Sequence, residues 1–283
     1  MSAIAVRGLR KSYGALEAVR GIGFEVERGE VFGLLGPNGA GKTTTVEILE
    51  GYRGREEGKV QVLGTDPARA GSDFRARIGI VLQSSAVYPL LSVRETLELF
   101  AGYYPHPRRP EEVIELVGLT EQVDARVRTL SGGQLRRLDL ALALVGDPEL
   151  IFLDEPTTGF DPAARRQAWD TIRGLRELGK SILLTTHYME EAQRLSDRIA
   201  ILRDGRIALT GSPRELLSGQ ALVEIRYRRN GEEVVIDTEE PTRVLHELTA
   251  QALAEGVELE GLEVRRRTLE DVYLDLTHVE AEV

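Results

Sequence analysis

The stretch VFGLLGPNGAGKTTT, from Val31 to Thr45, constrains this chain more than any other. Five apolar residues lead into three glycines within six positions, then a lysine and three hydroxyls. Glycine loses more conformational freedom on folding than any other residue, so such a cluster marks backbone that bulkier side chains would obstruct. Gly36, four intervening residues, Gly41, Lys42 and Thr43 fit the spacing of the phosphate-binding P-loop. In such a loop, backbone N–H groups cradle phosphate oxygens, the lysine reaches the terminal phosphates and the hydroxyl ligates Mg²⁺. The candidate residues are Gly36, Pro37, Asn38, Gly39, Ala40, Gly41, Lys42, Thr43 and Thr44. A helix predicted to begin near Lys42 adds the positive end of its dipole. A β-to-α turn without ligand would use glycines too, but it would not need the lysine and hydroxyls in this order.

ELIFLDEPTTGFD supplies a second half-site. A buried strand over Leu150 to Leu153 ends in Asp154 and Glu155. Adjacent carboxylates at such a strand end repel each other and need a reason to be there. Mg²⁺ held through Asp154 is one reason, as in P-loop NTPases. Glu155, pointing elsewhere, is placed to orient or deprotonate a water. Between these half-sites lies LSGGQ, Leu130 to Gln134. Ser131 is a candidate N-cap, with Gly132 and Gly133 exposing N–H groups at a second anion-binding helix terminus. Two phosphate-binding devices and one Mg²⁺ site imply that the second device serves another copy.

Composition narrows the classes. Over 283 residues, 42% are apolar and 29% charged, the profile of a globular protein with room for one large domain and a smaller one. The 46 acidic and 36 basic side chains give a net charge of −10, a poor match to nucleic acid. Cysteine is absent, which excludes disulfides and thiolate chemistry and fits a reducing cytosol. No stretch approaches the ~18 apolar residues that span a bilayer. The N-terminus lacks the apolar core of a secretory signal.

Helical and strand patterns alternate along residues 1–218, which predicts an α/β fold with a mostly parallel sheet. A helical subdomain is expected at about 84–146. Residues 219–283 read as a small α+β appendage. There Val223, Ile225 and Tyr227 share one face of a strand, with Glu224, Arg226 and Arg228 on the other. Val244, Leu245, Leu248 and Ala252 fall at helical spacing to cover the apolar face, and Leu269, Val272, Tyr273 and Leu276 form another stripe. About sixty residues make a marginal core alone.

From about residue 3 to 215 the sequence resembles the ATP-binding subunits of ABC transporters, which are P-loop NTPases. The resemblance implies that Tyr13 stacks on adenine, Gly36 to Thr43 are Walker A, and Gln83 is the Q-loop glutamine that senses Mg²⁺ and the membrane partner. Leu130 to Gln134 match the family signature. Asp154 and Glu155 look like the Walker-B aspartate and catalytic glutamate, Asp161 like the D-loop aspartate, and His187 like the switch histidine at the γ-phosphate. The chain departs from the family at Phe160, usually leucine, and at Leu142, a frequent arginine. His106, His246 and His278 match no motif. TTHYMEEAQRLSDRIAILRDGRI and the terminal TLEDVYLDLT resemble the ABC-2 type, commonly exporters of drugs, antibiotics or envelope polymers. Residues 84–104, with Tyr88 and Pro89, correspond to the segment that docks a membrane subunit.

The implied cycle uses ATP and Mg²⁺. Two copies face head to tail, each ATP lying between one copy's Walker A and the other's LSGGQ. Lys42, Thr43 and Asp154 hold phosphates and metal, Glu155 polarises water, and His187 and Gln83 attend the γ-phosphate. Binding closes the dimer and hydrolysis opens it, driving a separately encoded transmembrane permease from the cytoplasmic face of the membrane. The appendage is expected to be regulatory or dimer-stabilising. An ATP-switched regulator of a membrane complex would use the same residues. A soluble ABC ATPase acting on DNA or ribosomes fits less well, because the chain has neither an inserted coiled coil nor a second cassette.

Overall fold

The computed structural model describes residues 2–81, 87–217, 223–229, 231–266 and 268–278. Gln83 lies outside the described residues. The chain divides into two compact units, Met1–Thr210 and Gly211–Val283, so the break falls just ahead of the expected 218/219 boundary.

The first unit opens with strands β1 (Ser2–Tyr13) and β2 (Leu16–Glu27), then β3 (Val31–Leu35), helix α1 (Lys42–Glu50) and β4 (Glu57–Val62). Helix α2 (Ser72–Ala76) and β5 (Ile78–Val81) follow, then the helical stretch α3 (Val93–Ala101), α4 (Pro110–Leu116) and α5 (Gly132–Leu144). It closes with β6 (Leu150–Asp154), α6 (Pro162–Glu177), β7 (Ser181–Thr186), α7 (Met189–Leu195), β8 (Arg198–Arg203) and β9 (Arg206–Gly211).

The main sheet runs β5-β6-β7-β3-β8-β9. The pairings of β5 with β6, β6 with β7, and β3 with both β7 and β8 are all parallel. Every residue of β3, β6 and β7 is buried, as expected for strands covered on both faces. Alternation along β6 decides which core each side chain joins. Leu150 and Phe152 pack with Ile4, Val6 and Leu9 of β1 and with Ile48 and Leu49 of α1. Ile151 and Leu153 face Val93, Leu97, Leu138 and Ala141 of α3 and α5. Beyond β8, Asp204 and Gly205 both take positive φ (47° and 74°), the two-residue turn that closes an antiparallel hairpin onto β9.

The expectation of a mostly parallel sheet omitted a second layer. β1, β2 and β4 form a separate antiparallel sheet in the order β2-β1-β4, with β1 and β2 twelve residues each. Its apolar residues alternate with charged ones, so it covers one face of the main sheet and turns the other to water.

The second unit holds α8 (Pro213–Leu217), β10 (Val223–Arg229), β11 (Glu232–Thr238), α9 (Pro241–Glu255), β12 (Glu260–Arg266) and α10 (Leu269–His278). Its sheet runs β11-β10-β12, all antiparallel. Val223, Ile225 and Tyr227 are buried against Val244, Leu245 and Leu248 of α9. Ala252 joins Leu248 and Tyr227 around a small cleft. Leu269 and Val272 are buried, while Leu276 lies among side chains that are not described. Glu224, assigned to the outer face, is also buried, because Arg226 and Arg265 cover its carboxylate.

Candidate functional site

The site forms where β3, β6 and β7 end side by side at their carboxyl edges, the position at which open parallel sheets receive ligands. Register sets its geometry: Asp154 pairs with Thr185 and Leu35 with Thr186. The end of β6 therefore stands beside β7, one strand from the loop that leaves β3.

That loop runs from Gly36 into α1. A side chain at Gly36 would bring its Cβ within 2.2 Å of the Leu202 carbonyl oxygen. Gly41 has φ 101° and would meet the Ala18 carbonyl oxygen at 2.4 Å, so neither position tolerates another residue. Gly41 caps α1, whose first residue is Lys42. The Lys42 ammonium is buried, donates to the carbonyls of Gly36 (2.7 Å) and Pro37 (3.0 Å), and lies 3.4 Å from Glu155 Oε1. Burial pulls its pKa below the usual lysine value, while Glu155 and Asp154 oppose the shift. Thr45, which the sequence did not single out, donates from Oγ1 to the Gly41 carbonyl at 2.8 Å and ties the loop to the first turn. Tyr13, at the end of β1, places its hydroxyl 3.5 Å from Thr44 Oγ1, with Lys11 and Arg53 over its ring.

Asp154 is buried and accepts from the Thr185 hydroxyl. Burial raises its pKa, while hydrogen bonds from Thr185 and Thr43 and the Lys42 charge pull the other way. Glu155 follows in the left-handed region (φ 47°), and its N–H donates to the Thr185 carbonyl at 3.1 Å. That backbone reversal turns Glu155 away from Asp154. Its carboxylate meets Lys42, the Thr158 hydroxyl at 3.1 Å, and His187 Nδ1 at 3.3 Å, the last without hydrogen-bond alignment. Burial pushes the Glu155 carboxyl up, but Lys42, His187 and Thr158 outweigh it and hold it below the ordinary range. Glu155 therefore stays ionised.

Ser131 caps α5 as expected. Its hydroxyl accepts from the Gln134 N–H at 3.3 Å, and the Gln134 side chain accepts from the Ser131 N–H at 2.8 Å, a reciprocal capping box. Gly132 and Gly133 occupy the first turn. A cleft of about 660 Å³ runs from Ser131–Gln134 past Phe160 and Asp161 along α6, and no P-loop residue lines it. Asp161 Oδ1 accepts from the N–H groups of Ala163 and Ala164, both at 2.8 Å, so its carboxylate caps α6. The structure thus gathers Lys42, Thr43, Asp154, Glu155 and His187 at one strand edge, and places Ser131–Gln134 with Asp161 around a cleft that no P-loop residue lines, while Gly132 and Glu155 share a smaller one.

Among the buried carboxyls near this edge, sequence reasoning missed Glu50 and Glu191. Glu50, the last residue of α1, is buried near Asp154. Burial, then Asp154 and Glu47, push its pKa up to about 8. Glu191, in α7, is fully buried and accepts from Thr157 Oγ1 (2.6 Å) and Trp169 Nε1 (3.0 Å). Neither matches a catalytic spacing. Their only signal was an acid at an apolar-face position of its helix.

Residues 19–158 match the family model described as ABC transporter. The chain is 41% identical to Nod factor export ATP-binding protein I of Rhizobium sp. strain N33, over 99% of this chain and 98% of that protein. The chain belongs to the ABC transporter family. Within that family it is an ATP-binding subunit and an ATP hydrolase. This ABC subunit is also 39% identical to daunorubicin resistance ATP-binding protein DrrA3 of Streptomyces coeruleorubidus, over 98% and 96% of the two chains. Among solved structures, an ATP-binding subunit of an ABC transporter superposes with a TM-score of 0.72 at 23% identity. That match covers 98% of this chain and all of the other, which shows a shared fold. A dimeric ATP-binding cassette in a post-hydrolysis state, bound to ADP and Pi, matches with a TM-score of 0.66 at 25% identity, over 74% and 98% of the chains. Among the described residues of this ABC subunit, no helix is long and apolar enough to cross a membrane.

Proposed function

We propose that this ABC subunit powers an exporter: ATP closes two copies head to tail, and hydrolysis reopens them. The observation that carries the reading is the convergence of Lys42, Asp154, Glu155 and His187 at one strand edge, with the Ser131 helix terminus opening on a cleft that no P-loop residue lines. A phosphate chain bound at Gly36–Thr44 would receive the loop N–H groups and the Lys42 charge. The same phosphates would meet Ser131, Gly132, Gly133 and Gln134 of the second copy, with Asp161 beside them. Tyr13 offers a ring face to the base.

Mg²⁺ suits the donors present. Asp154 and Thr43 supply only hard oxygen ligands, and the buried Asp154 carboxyl has a raised pKa that a cation would reverse. The ion would neutralise charge on the phosphoryl oxygens. Gln83 completes the proposed set from outside the described residues. Glu155, ionised and turned away from Asp154, takes or orients the proton of the attacking water. Its pairing with Lys42 and His187 sets where the carboxylate sits, and His187 presents its imidazole to the phosphate being cleaved.

Export is supported by the near full-length likeness to proteins named for Nod factor export and daunorubicin resistance. The partner is a separately encoded transmembrane permease, docked through residues 84–104 with the subunit on the cytoplasmic face. Within that segment Tyr88, Leu90 and Tyr103 expose large apolar surface. The test is to purify the complex from cells through a tag on this chain, identify the membrane subunit, and measure ATP-driven flux in sealed vesicles. Directional substrate movement that stops with Glu155→Gln supports the proposal. A complex that hydrolyses ATP and moves nothing would favour the ATP-switched regulator.

A further inference from the structure

We infer that Tyr188 is a positioning residue for His187, with the Arg165 guanidinium clamped over its ring. His187 and Tyr188 are adjacent, and their ring centroids lie 4.1 Å apart with planes tilted by 40°. The Arg165 guanidinium, projecting from the first turns of α6, sits 4.4 Å from the centroid of the Tyr188 ring. Arg165 Nε is buried and has no hydrogen-bond partner among the described residues. A buried guanidinium N–H left without an acceptor is costly unless the cation is compensated otherwise, and a ring face supplies that compensation.

The backbone beneath the stack is also fixed. The Tyr188 N–H donates to Thr186 Oγ1 at 2.9 Å, which holds the chain between the end of β7 and the start of α7. One turn further, Glu191 accepts from Thr157 Oγ1 and Trp169 Nε1. Trp169 lies one turn beyond Arg165 on α6. The N-cap residue and the first turn of α7 are therefore bolted to α6 and to the loop before it. Removing the tyrosine ring leaves the imidazole next to Glu155 without a wall and Arg165 without a partner face. A misplacement of about 1 Å at a reacting centre can cost about a hundredfold in turnover.

The inference rests on the proposed role of His187, and the experiment separates the two. Steady-state ATPase kinetics are measured on the full chain and on Tyr188→Leu, Tyr188→Phe, Arg165→Met, His187→Ala and the double variant Tyr188→Leu/His187→Ala. The expected result for Tyr188→Leu is a kcat about tenfold or more below wild type with KM for ATP within about twofold, a loss confined to the transition state. Phenylalanine keeps the ring face, so Tyr188→Phe retains most of the activity, and Arg165→Met falls between them. In the His187→Ala background, Tyr188→Leu adds no further loss, because a residue that acts only through His187 has nothing left to position. Additive losses in the double variant, or a raised KM with unchanged kcat, would overturn the inference and make Tyr188 a structural or nucleotide-contacting residue. Wild-type kcat in Arg165→Met would remove the clamp, a result that stands even if Tyr188→Leu fails to fold. If His187→Ala alone kept wild-type turnover, the role of His187 would fall first.

Discussion

At the residue scale, one ion pair does two things. Lys42 and Glu155 lie 3.4 Å apart with both side chains largely buried, so each stabilises the charged form that its proposed role requires. Lys42→Ala should therefore abolish turnover and weaken nucleotide binding together, which titration with a fluorescent ATP analogue would show. Near wild-type ATPase activity would remove the phosphate-binding assignment. Glu155→Gln keeps the shape but cannot take a proton. That variant should bind ATP, stop hydrolysing it, and run as a dimer on size-exclusion chromatography when ATP is present. Loss of ATP binding would instead make Glu155 a metal ligand or a structural group. Glu50 gives a different kind of prediction. Its folded pKa of about 8 lies above the ordinary 4.5, so the folded chain holds this proton more tightly than the unfolded one. The associated stability is fully present below the unfolded value and is lost as pH rises through the folded one. Glu50→Gln, which stays uncharged, should flatten the decline in urea midpoint between about pH 5 and about pH 8.5. An unchanged slope would mean that the carboxyl is not buried in solution. The motif residues were legible in the sequence because phosphate chemistry fixes their type and spacing. Glu50, Glu191 and Arg165 were not, since their roles come from neighbours brought together only by the fold.

At the element scale, strands buried on both faces announced themselves as continuous apolar runs: VFGLL, LIFLD and SILLTT all form the central sheet. The antiparallel layer was underestimated. β1 and β2 carry arginines, lysine and glutamates on their outer faces, which break up the hydrophobic signal of twelve-residue strands. β12 was missed for the same reason, although Leu262 and Val264 alternate with Glu263 and Arg265 within it. The start of α5 was readable, because a serine followed three residues later by glutamine is a capping box in either language. That helix terminus allows its two roles to be separated. Aspartate caps as well as serine, so Ser131→Asp should leave stability within about 0.5 kcal/mol of wild type. The added negative charge would repel a phosphate chain, and ATP-dependent dimerisation of the Glu155→Gln background should disappear. If dimers still formed with ATP in the Ser131→Asp/Glu155→Gln chain, the terminus would be a helix cap alone.

At the scale of the whole molecule, the two units differ in how they are held together. The first unit has two large cores, one on each face of a six-stranded sheet. The second has a small core of Val223, Ile225 and Tyr227 under α9, supplemented by charged links. Arg265 joins the Glu224 carboxylate to Asp271 of α10 at 2.8 and 3.0 Å. A unit of about seventy residues buries only roughly 60% of its unfolded surface, so such links matter more there than in the first unit. Among the described residues, strands β10, β11 and β12 of the second unit form a sheet of their own, distinct from the six-stranded sheet whose edge carries the proposed site. Its proposed role is regulatory or dimer-stabilising. A chain ending after Ser212 keeps β9 whole and removes the rest of the second unit. It should bind ATP with wild-type affinity while losing stability of the ATP-bound dimer or coupling to the permease. Analytical ultracentrifugation of the truncated chain carrying Glu155→Gln, with and without ATP, separates these outcomes. If the truncated chain folded, as judged by circular dichroism, yet bound no ATP, the second unit would have to contribute to the nucleotide site.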